Sequence, residues 1–142
     1  MEKGVIEAAK EAFDLKAVDV STYSPLALAY IGDAVYELII RTKVVNRGNT
    51  QVNKMHKKSA EFVKASAQAA IIKALEEELT EEERAVFKRG RNAKSATVAK
   101  HASMIDYRNA TGFEALVGYL YLTEQMERLF ELVRDGLEKI GE

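Results

Sequence analysis

The stretch from Ser24 to Arg41, Ser-Pro-Leu-Ala-Leu-Ala-Tyr-Ile-Gly-Asp-Ala-Val-Tyr-Glu-Leu-Ile-Ile-Arg, restricts this chain more than any other. Ser24 before Pro25 is a helix start, because the serine oxygen takes an orphan backbone N–H and proline at the first helical position has none to lose. Leu28, Ile31, Val35 and Leu38 then recur at steps of three and four, while Ala27, Tyr30, Ala34 and Ile39 widen the apolar surface until little polar face remains. The pattern predicts a largely buried helix, ending near Asn46 ahead of Arg47-Gly48-Asn49. Asp33 interrupts it, beside Gly32, which costs a helix interior roughly 0.5 to 1 kcal/mol relative to alanine. Two readings account for the acid. Asp33 pairs with an arginine or with backbone N–H groups while Gly32 lets another helix approach, or it faces a wet cleft and binds a hard cation with the help of a second acid.

Composition narrows the classes. At 142 residues, 47% hydrophobic and 30% charged, the chain is about one domain with a single core. No apolar run reaches membrane-spanning length, and Glu2, Lys3, Glu7, Lys10 and Glu11 break up any signal segment, so a cytoplasmic protein without a membrane partner is expected. The absence of cysteine excludes disulfides, thiolate catalysis and sulfur-ligated zinc. His56 and His101 are the two histidines, and no nucleophile-elbow motif accompanies either. The net charge of −1 conceals segregation: Glu76 to Glu83 is acid-rich, whereas Lys88, Arg89, Arg91, Lys94 and Lys100 lie in a segment with no acid.

Along the chain, Val5, Ile6, Ala9 and Phe13 predict a short amphipathic helix. A third helix from Thr50 turns Val52, Met55 and Phe62 inward and its lysines outward. Ser66 reads as the N-cap of a fourth helix with Ala70, Ile71, Ala74 and Leu75 on one face. Thr80 with Glu83 forms a capping box for a fifth, anchored by Val86 and Phe87. Gly90 reads as a break, and Arg91 to His101 as a loop or poorly ordered basic segment. Phe113, Leu116, Val117 and Leu120 mark a second very apolar helix, and Thr123 a cap for a last one with Met126, Leu129, Phe130, Val133 and Leu137 inside. The absence of alternating strand patterns gives an all-α single domain.

The late apolar helix repeats the oddity of the first, since Phe-Glu-Ala-Leu-Val-Gly at 113 to 118 carries one acid, Glu114, in a core-type sequence. Without a cation the two carboxylates would raise each other's pKa. Tyr-Ile-Gly-Asp-Ala-Val at 30 to 35 resembles the signature helix of the ribonuclease III family, and 113 to 118 resembles its second catalytic helix, in the family's order. Leu-Ala-Leu-Ala-Tyr-Ile-Gly-Asp-Ala, His-Lys-Lys-Ser at 56 to 59 and Lys-Arg-Gly-Arg-Asn-Ala-Lys-Ser at 88 to 95 are similar to its Mini-ribonuclease III branch, which has the catalytic domain only. The likeness covers nearly the whole chain and implies one ribonuclease III-type helical domain over 1–142 with no separate RNA-binding domain.

The resemblance further implies a Mg²⁺-dependent endoribonuclease that hydrolyses phosphodiesters in double-stranded RNA, leaving 5′-phosphate and 3′-hydroxyl ends, in maturation of large-subunit ribosomal RNA. Asp33 and Glu114 would be catalytic and would hold Mg²⁺, with Mn²⁺ as a substitute. Lys88, Arg89, Arg91, Asn92 and Lys94, with His56, Lys57 and Lys58, would contact RNA. A homodimer is implied, with a ribosomal protein on the substrate as a further partner. Full-length members carry two more acids, whose places here are Ala29 and Thr111, and a further glutamate at Leu26. A reduced metal site is therefore one expectation, and a catalytically silent RNA-binding or ribosome-associated protein is the alternative; a helical adaptor for an acidic protein is a third.

Overall fold

In the computed structural model, residues 2–93 and 103–141 are described. Seven α-helices are formed among them: α1 (Val5–Phe13), α2 (Pro25–Asn46), α3 (Val52–Val63), α4 (Ala65–Leu75), α5 (Glu81–Asn92), α6 (Met104–Leu122) and α7 (Met126–Lys139). Two short 3₁₀ turns lie at Val20–Thr22 and Glu76–Glu78, and no strand occurs among the described residues.

Local chemistry sets the helix starts. Ser24 Oγ accepts the Ala27 N–H at 3.1 Å, with Pro25 opening α2. At α5 the Thr80 hydroxyl accepts the Glu83 N–H at 3.1 Å while the Glu83 carboxylate accepts the Thr80 N–H at 2.9 Å, a closed capping box. Ser103 caps α6 by accepting the Asp106 N–H at 3.0 Å.

α6 is the axis of the fold. Ala115, Leu116, Val117 and Leu120 are at most 1% exposed, and α2, α4, α5 and α7 all pack on it, α2 most extensively. Tyr36 of α2 meets Phe113 edge-to-face at 5.2 Å between ring centroids. The Tyr36 hydroxyl, whose pKa burial raises, reaches across to donate to the Phe62 carbonyl of α3 at 2.7 Å. α7 is clamped to the start of α5 by Arg128, whose guanidinium grips both oxygens of Glu83 at 2.8 Å and the Glu78 carbonyl at 2.8 Å. Glu83, 4% exposed, is held below the usual carboxylate range chiefly by that arginine.

Several expectations are corrected. α2 is buried along one face only, and Tyr30, Leu38 and Val45 stand exposed on the others. The fourth helix starts after Lys64, and Ser66 lies inside it; Ala70 faces solvent. Gly90 does not break α5, which runs on to Asn92 because the glycine is buried against α6. Val52 and Phe130 are exposed rather than inward. Thr123 closes α6 instead of capping α7, its hydroxyl donating to the Tyr119 carbonyl at 2.7 Å.

Candidate metal centre and active site

The site is made by two glycines. A Cβ on Gly32 would lie 1.7 Å from the carbonyl oxygen of Glu114, and one on Gly118 would lie 2.0 Å from the carbonyl oxygen of Leu28. Each helix therefore accepts a backbone carbonyl of the other where a side chain would stand. Gly32 and Gly118 are each four residues beyond the carbonyl their own helix contributes, Leu28 and Glu114, so the exchange is reciprocal over one turn. This close crossing sets Asp33, next to Gly32, against Glu114. The glycine admits a helix, and that helix carries the second acid; no arginine or backbone N–H among the described residues pairs with the Asp33 carboxylate.

The two carboxylates differ in surroundings. Asp33 is exposed, whereas Glu114 is only partly accessible. Burial, and then the hydrogen bond and negative charge of Asp33, push the Glu114 carboxyl up to about 8. Around neutral pH Glu114 therefore carries the proton it shares with Asp33, and any cation that displaces it gains two oxygen ligands open to solvent on the Asp33 side.

A third group lines the same spot. Gln68 of α4 is 3% exposed and donates from Nε2 to the Val63 carbonyl at 2.7 Å, and its amide lies by the Glu114 carboxylate, favouring the charged form. Its Oε1 is buried with no partner among the described residues. Sequence reasoning missed Gln68; the only signal is one amide in an otherwise alanine-rich helix.

The donor set suits a hard cation: two carboxylates, all of whose donor atoms are oxygen. No group of three or more histidines and acids that would hold a metal occurs among the described residues. Ala29 is buried and Leu26 exposed, and the Thr111 hydroxyl is spent on the Tyr107 carbonyl at 3.0 Å, so none adds an acid. Magnesium keeps several waters and needs only one or two protein carboxylates, so the pair fits it.

Basic groups gather at the end of α5. A Cβ on Gly90 would sit 2.8 Å from the Ala115 Cβ and 2.9 Å from the Gly112 Cα, docking the last turn of α5 onto the turn of α6 that holds Glu114. Lys88, Arg89 and Asn92 are exposed there. Arg91 lies over the Phe87 ring at 5.6 Å and donates to the Asn92 side chain at 3.2 Å. Lys94 lies outside the described residues. His56, Lys57 and Lys58 sit on α3, and no described contact ties them to either carboxylate. His56 and Lys57 are exposed, while Lys58 pairs with Glu61 at 3.3 Å.

Residues 26–125 match the family model described as the Ribonuclease III domain. Proteins named Mini-ribonuclease 3 are similar to the chain across most of its length. That of Clostridium tetani is 56% identical over 82% of this chain and 78% of its own, and that of Enterococcus faecalis 51% identical over 87% and 96%. The Thermoanaerobacter protein of the same name is 46% identical with both chains fully covered. A crystal structure of a Fusobacterium nucleatum protein superposes with a TM-score of 0.78 at 30% identity, covering 87% of this chain and 98% of that one. The matched segment contains both crossing helices and both acids, and on that ground the chain belongs to the ribonuclease III family and is an endoribonuclease.

Proposed function

We propose that the chain is a Mg²⁺-dependent endoribonuclease for double-stranded RNA, with Asp33 and Glu114 as its catalytic and metal-holding residues. The observation that carries this reading is the pairing of two carboxyl side chains at a helix crossing too close for any side chain but hydrogen at Gly32 and Gly118. Like charges held together favour a cation between them. When bound, Mg²⁺ supplies neutralisation of a phosphodiester and activation of water. The chain's own residues do the rest: Asp33 faces the solvent from which RNA arrives, and Glu114 is fixed from behind by Gln68. Water oxygen bonds to phosphorus as the bond from phosphorus to the 3′ oxygen breaks, leaving 5′-phosphate and 3′-hydroxyl ends.

Lys88, Arg89, Arg91 and Asn92 are the RNA contacts this reading assigns, together with Lys94, because A-form duplexes are recognised through backbone and shape. His56, Lys57 and Lys58 are secondary contacts, resting on the family resemblance. The likeness to Mini-ribonuclease III supports large-subunit ribosomal RNA precursor as the cytoplasmic substrate, with a ribosomal protein shaping it. A homodimer is supported by an open groove of about 940 Å³ beside α2 and α7. No helix among the described residues is long and apolar enough to cross a membrane.

The test is cleavage of a structured RNA duplex with and without Mg²⁺ by the parent protein, Asp33→Asn and Glu114→Gln. Both variants should lose cutting by at least about a hundredfold, since each removes a ligand from transition-state stabilisation, while duplex binding in gel shift persists. Undiminished cutting by Asp33→Asn overturns the mechanism, and duplex binding without cutting by the parent protein marks it as the silent member of its family.

A further inference from the structure

Gln68 has no place in the family resemblance, yet its surroundings are those of a built site. A buried amide oxygen left without a partner is costly, and at nine-tenths burial such groups are ordinarily satisfied. The same amide already spends its nitrogen on the Val63 carbonyl and lies by the Glu114 carboxylate. Its position is rigid: Ala67 and Ala69 beside it are buried, α4 packs on α6, and Val63 ends α3. An oxygen so placed, next to the acid pair and lacking a donor, is an acceptor awaiting one.

Resting on the cation reading above, we propose that Gln68 is a positioning residue of the metal centre, its N–H orienting Glu114 and its Oε1 accepting from water that accompanies the cation. Groups of this kind typically govern metal affinity by about 10- to 100-fold when removed. Gln68 would not touch the phosphodiester, so its effect belongs on cation affinity and not on the rate once the site is filled.

Two replacements separate this role from a packing role. Gln68→Met keeps the length and volume and removes both hydrogen-bonding functions. Gln68→Glu keeps an acceptor oxygen beside Glu114 and loses the donor to Val63. Mn²⁺ alone, titrated into the RNA-free protein and followed by the loss of its free electron paramagnetic resonance signal at pH of about 8, reports affinity independently of cleavage. Gln68→Met should bind Mn²⁺ at least about tenfold more weakly than the parent, with Gln68→Glu binding as tightly or more so. The Mg²⁺ concentration for half-maximal cutting should shift with Mn²⁺ affinity, while kcat at saturating Mg²⁺ stays within about threefold.

Asp33→Asn is titrated beside them. Unchanged Mn²⁺ binding there overturns the cation reading itself; lost binding there with Gln68→Met within about twofold of the parent overturns the Gln68 role alone. Where Gln68→Met does not fold, Gln68→Glu decides for the acceptor role, since it lacks the N–H groups: weakening by about tenfold or more overturns that role, and retained affinity supports it.

Discussion

Glu114 is under electrostatic tension from burial and from Asp33, and the tension has a measurable sign. Its carboxyl is raised from 4.5 to about 8 by burial and by Asp33. Between those pH values the native protein holds a proton that the unfolded chain has released. Stability without metal should therefore be greatest below the lower value and fall as pH rises through about 8. Thermal melts in a chelator at pH of about 5.5, 7 and 8.5 should show this decline, and Glu114→Gln should flatten it; the same slope in both proteins would refute the assignment. Added Mg²⁺ should act oppositely, raising the melting temperature more at about pH 8 than at about pH 6, because binding requires the deprotonated acid. This site was legible in sequence because an acid in a core-type helix is expensive and two of them point at each other. Gln68 was not legible: a single amide in a helix has many ordinary fates, and its meaning depends on which oxygen the fold leaves unpartnered.

At the level of elements, the crossing of α2 and α6 determines whether the acids meet. Gly32→Ala adds a methyl group where a carbonyl oxygen already stands at 1.7 Å. The helix-propensity gain of about 0.5 to 1 kcal/mol is outweighed by an overpacking cost of typically 1 to 3 kcal/mol. We expect a folded protein with a lowered melting temperature and a loss of cutting out of proportion to it, on the order of a hundredfold, because displacement by about 1 Å at a reacting centre costs that much. Cutting that falls only in step with the unfolded fraction would show that the spacing is not catalytic. Helix capping was readable in advance, since Ser24, Thr80 and Glu83 act through neighbours three residues away. Gly90 was misread because its helix-breaking tendency is local, whereas its burial against Gly112 and Ala115 is tertiary. Thr123 and Ser66 were misplaced as caps for a similar reason: a hydroxyl near a helix end can serve the helix before it or lie inside the next.

On the scale of the whole molecule, the groove beside α2 and α7 is the feature that a monomer leaves unexplained. Ile31, Ala34 and Leu38 of α2 form one wall, and Tyr121, Met126 and Phe130 another. Leu38 is 64% exposed and Phe130 50%, while Tyr30, 83% exposed, projects from the helix that carries Asp33. A contiguous apolar surface of this kind marks an interaction site, and α2 brings it within one turn of Asp33, where, on the proposed function, a twofold partner would set two centres on one duplex. Burying Leu38 against a second copy is worth about 1.5 to 3 kcal/mol per protomer. Because Leu38 contributes little to the protomer's own core, Leu38→Glu should leave helix content and the protomer fold intact by circular dichroism. Sedimentation at micromolar concentration should then show the parent at twice the mass of the variant. Equal masses, or a monomeric parent, would remove the second copy as occupant of the groove. A duplex cut on both strands by the parent should be nicked or left whole by a monomeric variant, because one protomer holds a single pair of acids, and one pair can face only one strand at a time.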